Sequence, residues 1–182
     1  MVRSDARENR ARILAAARVA FAEDGDTSMN QIAQRAGVGP GTLYRNYPSR
    51  EALILDIYQE EVGRLIGSVP ELLAASAPVE ALRRWTTDLV DAMRKKHALG
   101  AALSPDTHKS ITEQTYGPVL AAITDLLDAG RRDGSIRADA DPADFLQLTG
   151  ALWRSAPERT QPMLGLILDG LTAQVENSPL DR

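Results

Sequence analysis

Apolar residues recur at intervals of three and four along most of the chain, which is the period of an amphipathic helix. No segment alternates apolar and polar residues in the manner of a half-buried strand. A first helix is predicted over about 7–23, because Ile13, Leu14, Ala17 and Phe21 fall on one face. The pattern as a whole predicts an all-α fold of roughly nine helices.

Prolines and polar segments divide this helical pattern. A helix over about 49–66 carries a wide apolar stripe and is expected to bridge two domains. The chain is expected to turn between Pro70 and Pro78, and one short helix is expected to open at Pro105. The polar segment 176–182 is expected to be disordered.

The segment from Ser28 to Tyr47 predicts two short helices joined by a glycine turn. Ser28 is a good N-cap, because its hydroxyl can accept a hydrogen bond from the free N–H groups of the first turn. Gly37 follows the first apolar face, where a helix commonly ends in the left-handed conformation. Pro40 suits the first position of the second helix, and Pro48 ends that helix. This is the layout of a helix-turn-helix motif.

The second short helix presents polar and aromatic side chains around one apolar anchor, Leu43. Hydroxyl and guanidinium groups hydrogen-bond phosphates, whereas arginine and asparagine can read base edges in the major groove. Gly41 has no side chain, so the start of this helix could lie close to a DNA backbone. A solvated polar helix is the alternative interpretation. The residues predicted to contact DNA are Ser28, Pro40, Gly41, Thr42, Tyr44, Arg45, Asn46, Tyr47 and Arg50, with Arg45 and Asn46 nearest the bases.

The run IAQRAGVGPGTLYRNYPSREAL, preceded by ARILAAARVAFAEDG, resembles the DNA-binding region of the TetR family of transcriptional regulators. That family has a motif of the form I-A-x-x-A-G-V-S-x-G-T-L-Y-x-Y/H-F, and its first helix ends in Phe-x-x-x-Gly. The resemblance covers about residues 7–65. Gly39 departs from it, since the family usually has Ser or Thr there. Glycine is an acceptable N-cap but offers no side chain to a phosphate.

The resemblance implies a homodimer that binds a pseudo-palindromic double-stranded DNA operator, most often as a repressor. It divides the chain into a DNA-binding domain at 1–48 and a ligand-binding and dimerisation domain at 49–182. Pairing through the final two helices, at about 142–155 and 158–175, is expected. Packing of the same side chains in the monomer core is the alternative. The residues predicted for the interface are Leu146, Leu164, Ile167, Leu168 and Leu171.

A small, largely apolar effector of unknown identity is expected to bind in the C-terminal domain and to release DNA. The resemblance places the effector cavity among helices that carry several large apolar side chains. Apolar pockets with a few polar groups commonly hold small molecules. Ordinary core packing is the alternative for each of these residues. The predicted ligand contacts are Trp85, Leu89, Met93, Tyr116, Leu120, Phe145 and Trp153.

The charge distribution gives the two parts of the chain opposite signs. Residues 1–50 carry eight Lys or Arg against five Asp or Glu, a net charge of +3, whereas residues 51–182 carry thirteen against twenty, a net charge of −7. This asymmetry directs the basic surface to the helix-turn-helix end, so the acidic total does not argue against DNA binding. A DNA-following arm and solvated charge both remain open for the arginines near the first helix, namely Arg3, Arg7, Arg10 and Arg12.

Several other classes of protein are excluded by what the sequence lacks. It has no cysteine, which removes disulfides, thiolate metal sites and cysteine nucleophiles. GVGPGT lacks the Lys-Ser/Thr of a P-loop, and neither H-E-x-x-H nor G-x-S-x-G occurs, so no enzyme, cofactor or metal site is predicted. An architectural DNA-binding protein would be basic throughout. The charged start MVRSDARENR and the lack of a ~20-residue apolar run predict a cytoplasmic protein without membrane association.

Overall fold

The structure, a computed structural model, describes residues 2–100 and 104–172, apart from the side chains of 2–5, 98–100, 108 and 110. Within those ranges it has nine α-helices and no strand, which confirms the all-α prediction. The predicted tail at 176–182 lies outside the described residues. The helices are α1 (Val2–Glu23), α2 (Met29–Arg35), α3 (Pro40–Asn46), α4 (Arg50–Gly67), α5 (Val69–Ala75), α6 (Pro78–Gly100), α7 (Pro105–Asp133), α8 (Pro142–Thr149) and α9 (Pro157–Leu171).

The chain divides into two compact units. Unit 1 contains Met1–Val62 and Lys95–Thr115, and unit 2 contains Gly63–Arg94 and Tyr116–Arg182. The helices α4, α6 and α7 each continue from one unit into the other. The division therefore falls inside long helices, whereas the sequence analysis placed a domain boundary at residue 48, before α4.

Unit 1 is built around the apolar faces of its four N-terminal helices. Ile13 and Phe21 of α1, Ile32 of α2, Leu43 of α3 and Leu53 of α4 are all buried. The periodic apolar positions of the sequence thus do face the core of this unit. This packing supports α2 and α3, which at seven residues each are too short to be stable alone.

The returning segment of unit 1 is joined to α4 by polar contacts. Lys95 Nζ lies 2.9 Å from Glu61 Oε1, and the amide of Gln59 donates to Gln114 at 3.0 Å. At the start of α4, Glu51 accepts a hydrogen bond of 2.8 Å from the backbone N–H of Ser104, and its pKa is lowered by its hydrogen bonds, first to Thr107. The end of α6 and the start of α7 therefore belong to the same unit as the helix-turn-helix motif.

Unit 2 contains a large buried indole and a half-buried guanidinium that bonds three acceptors. Trp85 is fully buried, and its indole N–H donates to the carbonyl of Leu65 at 2.9 Å. One terminal nitrogen of Arg94 lies within hydrogen-bond distance of the Leu152 carbonyl at 3.1 Å and the Thr160 hydroxyl at 2.6 Å. These contacts connect α6 to α4, to the segment between α8 and α9, and to α9 itself.

Two segments are more helical than the sequence analysis expected. The predicted turn between Pro70 and Pro78 contains α5, because Pro70 occupies the first turn of that helix, where its missing N–H costs nothing. The short helix expected at Pro105 is the start of α7, which runs for 29 residues through Pro118. Pro118 removes one backbone hydrogen bond, yet Ile111 and Val119 are both buried, so tertiary packing continues across it.

The final two helices are shorter than predicted. α8 ends at Thr149 and is followed by a 3₁₀ turn at Leu152–Arg154, whereas a helix to residue 155 was expected. α9 ends at Leu171, where the backbone N–H of Arg137 donates to the Leu171 carbonyl at 2.9 Å.

A close approach at Gly130 gives a test of the packing in unit 2. A Cβ at Gly130 would lie 2.4 Å from Cδ1 of the buried Ile136, whose backbone N–H donates to the Gly130 carbonyl at 3.0 Å. Gly130→Ala should therefore destabilise the protein by about 1–3 kcal/mol through overpacking. Gly63→Ala is the matched control, since nothing lies within 4 Å of its Cβ position in α4. It should stabilise by roughly 0.5–1 kcal/mol. Equal shifts of the two unfolding midpoints would contradict this packing.

Candidate nucleic-acid interface

A side-chain cap organises the start of α2. The Ser28 hydroxyl accepts from the backbone N–H of Gln31 at 3.3 Å, and the Gln31 side chain accepts from the backbone N–H of Ser28 at 2.8 Å. This reciprocal capping box satisfies two N–H groups that a helix start leaves free. Thr27, just before it, is buried, and its hydroxyl donates to the Asp24 carbonyl at 2.8 Å. Ser28 is thus held at the surface in a defined position.

The turn between α2 and α3 depends on one left-handed glycine. Gly37 has φ +64°, and the N–H of Val38 donates back to the Ala33 carbonyl at 3.0 Å. A side chain at position 37 would be strained in this conformation. Gly39 is the N-cap of α3 and makes no side-chain cap, so the first turn of α3 keeps its N–H groups without a side-chain acceptor.

The outer side of α3 gathers most of the residues predicted to contact DNA. Tyr44 is 46% exposed, and the Cβ position of Gly41 has open space around it. The guanidinium of Arg45 donates back along the helix, to the Gly41 carbonyl at 3.2 Å and the Thr42 hydroxyl at 3.1 Å. The side-chain amide of Asn46 donates to the Thr42 carbonyl at 2.8 Å. These residues present one hydrogen-bonding surface around the helix.

Two of the residues predicted to contact DNA, Tyr47 and Arg50, are engaged inside unit 1. Tyr47 is only 2% exposed, and its hydroxyl donates to Asp56 of α4. The Arg50 guanidinium donates to the backbone carbonyls of Gly25 and Thr27 and lies 4.5 Å from the centre of the Phe21 ring. In this structure both side chains hold the motif together. Their hydrogen-bond partners are distant in sequence, so local periodicity could not reveal them.

Several basic residues of unit 1 are paired with carboxylates of the same unit. The described ion pairs are Arg10–Asp56, Arg18–Glu60, Arg35–Glu23, Lys95–Glu61 and Lys109–Glu113. Arg12 and Arg45 are exposed and have no carboxylate partner among the described residues. Arg12 reaches the motif itself, since its guanidinium lies 3.8 Å from the Cβ position of Gly37. Two guanidinium groups without a carboxylate partner among the described residues thus lie near the turn and on α3.

The seven predicted ligand contacts all lie in unit 2, with different degrees of burial. Tyr116 is 49% exposed. The other six are buried (Trp85, Leu89 and Phe145) or half-buried (Met93, Leu120 and Trp153).

The sequence analysis missed Thr86, which is fully buried on α6 beside Trp85. Its hydroxyl has no hydrogen-bond partner among the described residues. By contrast, the hydroxyls of Thr87 and Thr124 each donate to the carbonyl four residues earlier, at 2.9 Å.

The predicted dimer residues separate into core and surface. Leu164 and Leu168 are buried within the single chain and belong to its core. Leu146, Ile167 and Leu171 are half-buried. Two leucines not predicted from the sequence are strongly exposed, Leu148 of α8 at 55% and Leu166 of α9 at 74%. The helical stripe was recognised, but its buried and exposed edges could not be distinguished by period alone.

Known proteins resemble both parts of this chain. Residues 13–57 match the family described as bacterial regulatory proteins, tetR family, and residues 77–173 match the transcriptional regulator SbtR-like C-terminal domain. No helix in the described ranges has the length and apolar character that a membrane span requires.

Individual relatives match over most of their length. The crystal structure of the TetR transcriptional regulator SCO0520 from Streptomyces coelicolor is 40% identical with a TM-score of 0.77, covering 91% of this chain and 99% of that one. The repressor KstR2 from Rhodococcus jostii is 28% identical over 72% of this chain and 70% of its own. The repressor FadR from Thermus thermophilus, in complex with lauroyl-CoA, is 26% identical with a TM-score of 0.60, covering 95% of this chain and 99% of that one. With its helix-turn-helix motif and both matched domains, the chain belongs to the TetR family of transcriptional regulators.

Proposed function

We propose that this transcriptional regulator is a homodimeric repressor that leaves a pseudo-palindromic DNA operator when a small, largely apolar effector binds unit 2. The observation that carries the proposal is the outer side of α3, where exposed hydrogen-bonding groups meet uncompensated positive charge. Two relatives, KstR2 and FadR, are named as repressors, which supports this direction of control.

The contacts proposed for DNA follow from the exposure of each side chain. Thr42 and Tyr44 can donate hydroxyl hydrogen bonds to phosphates. Arg45 is proposed to read a base edge, because a guanidinium can bond two acceptors of guanine in the major groove. Arg12, beside Gly37, is proposed as a further phosphate contact. Tyr47 and Arg50 are proposed to support these residues from within.

Replacing Arg45 should test the assignment of base contact. Arg45→Ala is expected to cost about 1–3 kcal/mol of binding to a duplex selected from random sequences, and to relax preference at one position. Arg84→Ala is the control, since Arg84 is an exposed arginine of unit 2 that pairs with Glu80 at 2.9 Å. Titrations on selected and random duplexes provide the measurement. An equal loss on both would place Arg45 at a phosphate instead.

Dimerisation is proposed through the exposed apolar edge of α8 and α9. Leu148 and Leu166 present large apolar side chains to solvent, and burial of such surface favours association. Gly170 of α9 is also exposed, so a neighbouring helix could approach closely there. Two copies would supply two α3 helices, as a palindromic site requires.

Charge on this edge should separate the copies. Leu166→Glu is expected to give monomers in sedimentation and to weaken operator binding roughly 100-fold or more, because the second half-site no longer binds intramolecularly. Val19→Glu is the control for oligomeric state, as Val19 of α1 is 55% exposed. A Leu166→Glu protein that sediments as a dimer would contradict this interface.

The effector is proposed to bind among the apolar side chains of unit 2, with Thr86 as a polar anchor. FadR, one of the similar proteins, holds lauroyl-CoA. Here Trp85, Thr86 and Leu89 are all buried side chains of α6. A buried hydroxyl without a partner costs about 1–3 kcal/mol, which a bound acceptor or donor would recover.

Thr86→Val should separate stability from sensing. Removing the unsatisfied hydroxyl is expected to stabilise the fold by about 1–3 kcal/mol and to weaken release of DNA by the effector. Thr124→Val is the control, since that hydroxyl already bonds the Leu120 carbonyl. A panel of apolar compounds, together with lauroyl-CoA as an acyl chain on a charged carrier, would be screened by operator release and tryptophan emission, because both tryptophans lie in unit 2.

Effector binding and operator binding must weaken each other to the same extent. Linkage requires operator DNA to weaken effector binding by the factor with which effector weakens operator binding. If no compound in the panel alters emission or releases DNA, the effector part of the proposal is wrong, while the DNA-binding part stands.

A further inference from the structure

The helix α3 is attached to unit 1 at two points of different chemistry. Leu43, in its middle, is fully buried and apolar. Tyr47, which caps its C-terminus, is buried as well, but carries a hydroxyl that donates to Asp56. An apolar contact sets how deeply a helix packs and constrains its rotation weakly, whereas a hydrogen bond is directional. The Tyr47 contact is therefore the one that can set the orientation of α3.

Asp56 receives donors from two other helices at once. Besides the Tyr47 hydroxyl, it accepts a hydrogen bond of 2.7 Å from the guanidinium of Arg10 on α1. The Arg10 guanidinium also lies 5.6 Å from the centre of the Tyr47 ring, within the range of a cation–π contact. The Asp56 side chain is 17% exposed, so solvent screens this cluster only in part. One carboxylate thus joins α1, the end of α3 and α4.

The protonation states suit this arrangement at neutral pH. Burial, followed by the hydrogen bond to Asp56, raises the pKa of the Tyr47 phenol above its ordinary value. The hydrogen bond to Asp56 likewise raises the pKa of Arg10. The phenol therefore remains a donor and the guanidinium remains charged over the whole pH range in which the protein would bind DNA.

We propose that Asp56 is a positioning residue for DNA binding, which holds the Tyr47 hydroxyl so that α3 presents Tyr44 and Arg45 at the correct angle. The inference rests on the proposed role of α3 as the DNA-contacting helix. The family motif has phenylalanine where Tyr47 stands, so the hydroxyl is a feature of this chain. Asp56 itself lies on α4, outside the residues that the sequence analysis assigned to DNA.

Salt dependence distinguishes this role from a direct contact of Tyr47 with a phosphate. Loss of a phosphate contact lowers the slope of log affinity against log salt by about one. Loss of orientation weakens the contacts of α3 without removing a phosphate-bound cation, so the slope stays as it was. A purely structural role would lower stability and leave the affinity of the folded fraction unchanged.

The experiment compares full-length variants on a duplex that the wild-type protein selects from random sequences. Tyr47→Phe keeps the ring, and is expected to weaken binding about tenfold, the order expected for a hydrogen bond to a charged group, with an unchanged salt slope. Asp56→Ala should weaken binding similarly, and the double variant should be little weaker than either single one. Asp56→Asn, which retains an acceptor, should lose less than Asp56→Ala. Circular dichroism at the assay temperature reports the folded fraction.

A matched control removes a similar hydroxyl elsewhere in unit 1. Tyr58 of α4 is 8% exposed, and its hydroxyl is hydrogen-bonded to Thr115, away from α3. Tyr58→Phe is expected to bind the selected duplex as the wild-type protein does. A loss of affinity equal to that of Tyr47→Phe would overturn the inference, since removal of any buried hydroxyl of unit 1 would then weaken DNA binding.

The remaining outcomes are also decisive. Wild-type affinity in both Tyr47→Phe and Asp56→Ala, a salt slope lowered by about one, or unfolding of every Asp56 and Tyr47 variant would each overturn the positioning role alone. A wild-type protein that prefers no duplex in the selection would overturn the proposed function and this inference together.

Discussion

The shortness of α3 is the constraint on which the rest of unit 1 depends. Its seven residues fall below the ~12–15 at which isolated helices become marginally stable, so the surface proposed to meet DNA cannot hold its own shape. The turn at Gly37 sets where α3 begins, Leu43 sets its depth, and Tyr47 closes its end. The helices α1, α2 and α4 act as a scaffold for those three points.

Building that scaffold uses part of the charge that the sequence places near the motif. Five described cations of unit 1 are paired with its own carboxylates, as the Arg10–Asp56 contact illustrates. An acidic residue close to a DNA-binding surface would ordinarily repel phosphates. The negative charge of Asp56 is balanced by the positive charge of Arg10, which lies 2.7 Å away. The excess of positive charge at residues 1–50 therefore reduces to a few free guanidinium groups, with Arg45 on α3 itself.

The sequence was sufficient for the features whose signals are local. The cap at Ser28, the turn at Gly37 and the proline at the start of α3 each act within a few residues, and all three are where they were expected. The burial of the Tyr47 phenol could not be read from the sequence because its partner lies on another helix, and hydroxyl groups look alike in a sequence whether they bond water, phosphate or carboxylate. Helical periodicity also did not distinguish the buried Leu168 from the exposed Leu166. The apolar stripe of a half-buried helix has one edge toward the core and one toward solvent, and the period is the same for both.

Three helices, α4, α6 and α7, belong to both units. Within unit 1, the end of α6 and the residue before α7 bond α4, through Lys95 to Glu61 and Ser104 to Glu51. The helix that carries Asp56 is therefore held in unit 1 by contacts from both of these segments. If Asp56 sets the angle of α3, a small movement of α4 would change the presentation of Arg45 without unfolding any element of the motif.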